Sequence, residues 1–266
     1  MVLSYWNLKK PPFSNAPSRG MFYRSPQHEE ALRRLLYVVE NRKGVAMLTG
    51  EVGCGKTTVT KALANHLDQD RYHFQTISNP ALKPEELLKA IVIKLGGSPE
   101  NGSKTLMLDQ LQKLLFQSDA AGRSTVIAID EAHVIGSRET LDELRMLLNF
   151  QSDDQFLITL ILIGQPPLLA NITRLQPLKE RIAVKFNLGP LDFENTVRYL
   201  LFRLKTAGAT RGIFTREAVR CLYEHSGGIP LRVNNLGDRC LLAGAVQKKR
   251  VVDTRVVQAA IEDLQA

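Results

Sequence analysis

Along the first two thirds of the chain, short uniformly apolar runs alternate with longer stretches in which apolar residues recur every three or four positions. A strand buried on both faces is apolar throughout, whereas the helix crossing back over it buries one stripe only. The alternation therefore predicts β-α-β units and a parallel sheet. Strands are predicted at 45–49, 72–77, 125–129, 156–163 and 184–188. The first long helix opens at Ser25-Pro26, a capping residue followed by proline at the first helical position, and runs to about residue 40 with Ala31, Leu32, Leu35 and Leu36 on one face. Further helices are predicted at 56–67, 84–95, 105–117 and 139–150, the second of these ending at Gly96-Gly97.

The pattern changes at Gly189-Pro190 and is helical from there on, with segments at 192–208, 216–225, 230–247 and 254–264. Asp192 caps the first of them and Gly208 ends it. The expected architecture is a three-layer αβα sandwich on a five-stranded parallel sheet over residues 1–190, with 1–43 as an N-terminal segment and first helix. A four-helix domain over 191–266 follows it.

Between the first predicted strand and the next helix stands Gly50-Glu51-Val52-Gly53-Cys54-Gly55-Lys56-Thr57, a full G-x-x-x-x-G-K-[ST] in the strand-to-helix context the motif needs. The glycines let the backbone turn so that successive N–H groups face phosphate oxygens, and the helix start adds partial positive charge. Lys56 supplies a mobile cation for the β- and γ-phosphates, the Thr57 hydroxyl is a magnesium ligand, and Thr58 completes the loop. The pattern specifies a P-loop NTPase using ATP and Mg2+. A dinucleotide fingerprint fits worse, because reading G-x-G-x-x-G from Gly53 meets Thr58 at the third glycine.

The third strand ends in Asp130-Glu131, the form of a Walker-B element: Asp130 is expected to hold the metal and its waters, Glu131 to polarise the attacking water. Asp130-Glu131-Ala132-His133 also spells a helicase box, but the arginine- and glycine-rich motifs that accompany that box are absent downstream. Gln165, at the end of the fourth strand, is a candidate contact to the γ-phosphate or the lytic water. Arg181, just before the fifth strand, is a candidate finger for a neighbouring subunit's ATP, with Arg174 and Arg145 as weaker candidates. Arg232 follows Gly227-Gly228-Ile229-Pro230-Leu231 in the first turn of a helix expected to face the inter-domain cleft, where it could bridge to the γ-phosphate.

Composition adds limits. Cys54, Cys221 and Cys240 are odd in number and form no C-x-x-C pair, which favours a reducing cytoplasm. There is no apolar signal core after Met1, and no run is long enough to span a bilayer as a helix. The net charge of +8 is uneven: residues 1–43 carry 8 basic against 3 acidic side chains, residues 44–190 carry 15 against 16, and residues 191–266 carry 12 against 8. Basic flanks around a neutral centre leave nucleic acid open as a partner.

Together these features resemble AAA+ ATPases, and more narrowly the general secretion pathway protein A family of bacterial ATPases. The resemblance is carried by Pro12-Phe13, Phe22-Tyr23 and His28-Glu29-Glu30-Ala31-Leu32, by the phosphate loop through Thr58, and by Ile129 to His133. It continues through Ile163-Gly164-Gln165-Pro166, residues 178–182 and residues 226–235. It implies a homo-oligomeric ring or filament, an adenine pocket built partly by Phe22 and Tyr23, and sensor and finger roles for Gln165, Arg181 and Arg232. It also implies a protein partner in a secretion, pilus or envelope machine, with the chain cytoplasmic or peripheral at the inner membrane. Where the family has glutamine after Asp-Glu-Ala this chain has His133, and Leu231 separates Pro230 from Arg232. Family members continue past the lid into a membrane span and a cell-wall-binding region; these 266 residues end after the lid. The alternatives are a DNA-binding regulator of transposition or replication loading, and a slowly hydrolysing switch.

Overall fold

The computed structural model describes residues 1–15, 20–99, 103–152 and 155–265. The chain forms two compact units, one of His28–Glu51 with Lys56–Leu188, the other of Met1–Gln27, Val52–Gly55 and Gly189–Ala266.

The first is the α/β unit. Its strands are β1 (Val45–Gly50), β2 (Tyr72–Ile77), β3 (Ser124–Ile129), β4 (Ile158–Gly164) and β5 (Ile182–Leu188), all parallel, in spatial order β2-β3-β4-β1-β5. Every residue of β1 and β4 is buried, as central strands require, whereas β5 alternates between half-buried and exposed positions at the sheet edge. The expected sheet and fold class are present. Helices Pro84–Lys94 and Lys104–Ala120 cover one region of it, with Leu87, Leu88, Ile91, Leu111 and Leu115 in one core together with Ile127, Ile129 and Leu160.

The run expected as one strand at 156–163 is split. Gln155–Phe156 pairs antiparallel with Gln151–Ser152, Leu157 donates its N–H to Phe150 O (3.0 Å), and β4 begins only at Ile158. The Phe156 ring lies over Gly44, where an added Cβ would come within 3.2 Å of it, so this apolar side chain covers the start of β1 from outside the five-stranded sheet. Two short helices, Pro167–Thr173 and Gln176–Lys179, connect β4 to β5.

The second unit is helical. Phe193–Thr206, Arg216–Ser226, Pro230–Val246 and Thr254–Gln265 are the four expected helices, and the Asp192 carboxylate accepts the Asn195 N–H (2.7 Å) as the anticipated cap. The expectation that residues 1–43 side with the α/β sandwich differs from what the structure shows, since Met1–Gln27 is built into the helical unit. Trp6 is 1% exposed and donates Nε1–H to Leu241 O (2.8 Å). Its ring lies against Gly244 and the Phe13 ring against Gly237, where Cβ atoms would stand 2.7 and 2.9 Å from them. Mid-helix glycine costs about 1 kcal/mol relative to alanine; here two of them, seven residues apart, make the groove that seats the N-terminal rings.

Candidate active site

The order β2-β3-β4-β1-β5 brings the C-terminal ends of β3, β4 and β1 side by side, and there the chain places its polar residues. Thr49 is level with Gly164, and Ile129 with Leu162, so Gly50, Asp130 and Gln165 all emerge at one edge, where open α/β sheets bind ligands.

Lys56 opens helix Lys56–His66, is 7% exposed, and donates Nζ–H to Gly50 O (2.8 Å) and Glu51 O (2.9 Å). The ammonium is thus held by carbonyls of its own loop, which fixes the loop's curvature. Gly53 and Gly55 have φ of 86° and 101°, the left-handed region that glycine enters without penalty. Within the helical unit Gly53 also meets the start of Pro230–Val246: Leu231 donates its N–H to Gly53 O (3.2 Å), and an added Cβ at Gly53 would stand 2.5 Å from Leu231 Cβ. Cys54 is fully buried, and Glu51 and Val52 are exposed.

Thr57 Oγ1 donates to Asp130 Oδ2 at 3.3 Å. A hydroxyl and a carboxylate converging from two elements are the hard-oxygen donors that magnesium takes from proteins, which ligate it sparsely and leave the rest to water and phosphate. The donor set fits Mg2+. Among the described residues no cluster of three or more His, Cys, Asp or Glu side chains offers a more enclosed metal cage.

Asp130 Oδ1 accepts the N–H of Glu131 (2.9 Å), and Asp130 N–H bonds Ile77 O (2.9 Å). Glu131 has φ of 54°, a left-handed conformation that costs a non-glycine residue about 1 kcal/mol or more and recurs at functional sites. This backbone turn lifts the Glu131 side chain, 47% exposed, out of the end of β3.

Glu131 does not stand alone. Its Oε2 lies 3.2 Å from His133 Nδ1, and His133 Nε2 lies 2.9 Å from Gln165 Nε2. The Gln165 backbone N–H also donates to His133 Nδ1 (3.4 Å), so Gln165 meets both ring nitrogens of His133. The result is a chain from Gln165 through His133 to Glu131. It depends on Gly164, where a Cβ would stand 3.0 Å from His133 N. Sequence reasoning gave His133 a local hydrogen-bonding role and none in the chemistry; its signals were its place after Asp130-Glu131-Ala132 and its standing where the family has glutamine.

Arg181 donates Nη2–H to Asn149 Oδ1 (3.0 Å), and its Nη1 is buried without a hydrogen-bond partner among the described residues. It makes no ion pair among them. Arg145, by contrast, pairs with Asp142 (3.0 Å), and Arg174 ends helix Pro167–Thr173. Arg232 is exposed in the first turn of Pro230–Val246. Tyr23 packs on Tyr199 and Phe202 (centroids 5.8 and 5.7 Å) and donates its hydroxyl to Asn195 Oδ1 (3.1 Å); burial raises its pKa. Phe22 is half-buried beneath the Arg24 guanidinium, 6.0 Å from the ring centroid. Both aromatic residues therefore belong to the helical unit.

Comparison with known proteins gives the chain's family and fold. A family model described as AAA domain matches residues 39–172, half of the chain. General secretion pathway protein A of Aeromonas hydrophila is 37% identical over 248 residues, which cover 91% of this chain and 45% of that protein. The chain thus spans less than half the length of this curated relative. Among solved structures, the Aeropyrum pernix ORC2 protein in ADPNP-ADP complexes superposes with a TM-score of 0.71 at 17% identity, covering 96% of this chain and 71% of that one. Drosophila ORC bound to DNA superposes with a TM-score of 0.73 at 17% identity, covering 100% and 66%. At such identities the two structures share the fold. By its phosphate loop, its sheet order and its family match, the chain belongs to the AAA family, as an AAA+ P-loop ATPase domain related to general secretion pathway protein A.

Proposed function

We propose that the protein binds ATP with magnesium at residues 50–58, hydrolyses it to ADP and phosphate, and uses the cycle to build or remodel an assembly. The observation that carries this is the convergence of Thr57 and Asp130 at 3.3 Å beside Glu131. Gly50, Glu51, Val52, Gly53, Cys54, Gly55 and Thr58 form the cradle, and Lys56 moves from its loop carbonyls toward the β- and γ-phosphates. Magnesium, held by Thr57 and Asp130, neutralises phosphate charge when bound. Glu131 orients and polarises the lytic water as general base. Gln165 senses the γ-phosphate, Arg181 acts as a finger for the neighbouring subunit's nucleotide, and Arg232 reports the nucleotide to the helical unit. Phe22 and Tyr23 contribute to the adenine side.

The active form is a homo-oligomer, ring or filament, and its partner is a protein of a secretion, pilus or envelope-assembly machine. The relative's name supports this role, and the share of that protein covered keeps it a proposal. No helix among the described residues is long and apolar enough to cross a membrane, which agrees with work in the cytoplasm or at the inner membrane through a partner. The test is copurification of a membrane partner with Glu131→Gln protein in ATP and its absence in ADP. Equal recovery in both would refute a nucleotide-driven partnership.

A second function, regulation of a DNA transaction, is favoured by the basic flanks, 8 against 3 and 12 against 8 charged side chains. Retention of duplex DNA on filters, weakening steeply as salt rises, would select it; no retention at low salt would remove it.

A further inference from the structure

Helix Phe193–Thr206 has more apolar surface than its own core consumes. Leu200 and Leu204 are buried at 2% and 6% exposure, yet the neighbouring Leu201 is 59% exposed. Leu201 lies in an open trough of about 1000 Å3, with Val197 on the same helix and Phe214 across from it. A trough of this size is at the upper end of ligand sites and takes several side chains at once.

Its charge is one-sided. Arg198, Lys205, Arg211 and Arg216 line it, against the single carboxylate of Glu194. Glu194 is already paired with Arg198, one helical turn away. Lys205, Arg211 and Arg216 make no ion pair or side-chain hydrogen bond among the described residues. An apolar floor between cations without counter-charges selects its occupant. A basic segment is repelled, and a neutral one desolvates guanidinium groups without pairing them. A chain carrying both apolar anchors and carboxylates satisfies floor and rim together. With Val197, Leu201 and Phe214 as its floor, the trough offers a small polar metabolite little to bind.

We propose that this trough docks an acidic amphipathic segment of a partner protein, its apolar side chains three or four residues apart on Val197, Leu201 and Phe214 and its Asp or Glu side chains toward Lys205, Arg211 and Arg216. The groove lies wholly within the helical unit and the inference does not rest on nucleotide chemistry.

The test starts from a displayed library of random 12-residue peptides selected on the full-length chain. The enriched pool should be rich in Asp and Glu, with apolar residues at helical spacing. The most enriched peptide, labelled and titrated by fluorescence anisotropy, should lose at least about tenfold in affinity to Leu201→Ser and to the Lys205→Glu/Arg211→Glu double variant, and should weaken as salt rises. Both variants change exposed residues, so their melting temperature and ATP retention should match the parent. A neutral or basic pool, or equal binding to the variants, would overturn the proposal. So would two other outcomes: flotation with phosphatidylglycerol vesicles that the same variants abolish, which assigns the groove to lipid, or self-association that Leu201→Ser abolishes, which assigns it to a second copy.

Discussion

Arg203 is the side chain on which the N-terminal segment is hung, and its removal has a predictable local cost. It is 5% exposed and donates Nε–H to Pro12 O (2.5 Å), Nη2–H to Ser14 O (2.6 Å) and Nη1–H to the Tyr199 hydroxyl (2.9 Å), which in turn bonds Asn234 Oδ1 (2.7 Å). Each hydrogen bond to a charged donor contributes about 1.5–3 kcal/mol, but three do not simply add. In Arg203→Ala the Ser14 carbonyl, on an exposed residue, regains water, and Tyr199 keeps Asn234. Pro12 O, on a buried residue, is the acceptor left stranded. Recovery of the desolvation cost of the guanidinium offsets part of the loss. We expect a net destabilisation of about 3 kcal/mol. Since 1.4 kcal/mol is about a factor of ten, amide exchange at the Lys9 N–H, bonded to Ala207 O at 2.8 Å, should accelerate by roughly a hundredfold. Hydrogen exchange read by mass spectrometry measures this directly, and β1 and β4 should keep their protection. Acceleration below about threefold at Lys9, or an equal loss of protection in the sheet, would refute the assignment of Arg203 as the tether.

Three further outcomes follow from the geometry. His133→Ala and Gln165→Ala should each lower turnover by about tenfold with little change in ATP affinity, and the double variant should be no worse than either alone, because both break one chain to Glu131; additive losses in the double-mutant cycle would show independent roles. Arg181→Ala should lower turnover by roughly a thousandfold, and mixing it with Glu131→Gln should restore part of the activity, because the Glu131→Gln subunit donates its Arg181 to the Glu131-intact site of its neighbour; no recovery on mixing would place Arg181 within its own subunit. Asp192→Ala should cost about 1 kcal/mol through the lost cap. The Asn195 N–H holds the Asp192 carboxyl below its ordinary range, so the cap's contribution is full above the unfolded-state pKa and disappears as pH falls through the lower folded value. Urea titrations of parent and variant should therefore converge in acid, and a difference that grew on acidification would contradict the cap.

The chain's local code was strong where structure is local. All five sheet strands were placed to within two residues; β1, β3 and β4 read as near-uniform apolar runs because buried parallel strands tolerate little else, whereas β2 and β5 are only partly buried. Asp192 and Gly208 marked both ends of their helix, since caps are chosen by residues within a turn. The phosphate loop was legible because its backbone geometry demands glycine at fixed places. What failed was long-range. Phe156 looked like strand because nothing in its neighbourhood says that its ring covers Gly44. The pairing of Trp6 and Phe13 with Gly244 and Gly237 spans more than two hundred residues, and mid-helix glycines alone do not announce what fills them. The bridge through His133 has the same origin, since it needs the close passage of Gly164, on another strand.

The central claim is that Lys56 grips a triphosphate next to a carboxylate that readies water, and one paired measurement tests it most directly. Retention of labelled ATP at millimolar magnesium and release of phosphate are followed for the parent, Lys56→Ala and Glu131→Gln. The parent should retain and turn over ATP, Lys56→Ala should retain none, and Glu131→Gln should retain it while turnover falls by about a hundredfold or more. A parent that fails to hold ATP, or a Glu131→Gln variant that turns it over at the parental rate, would contradict the account.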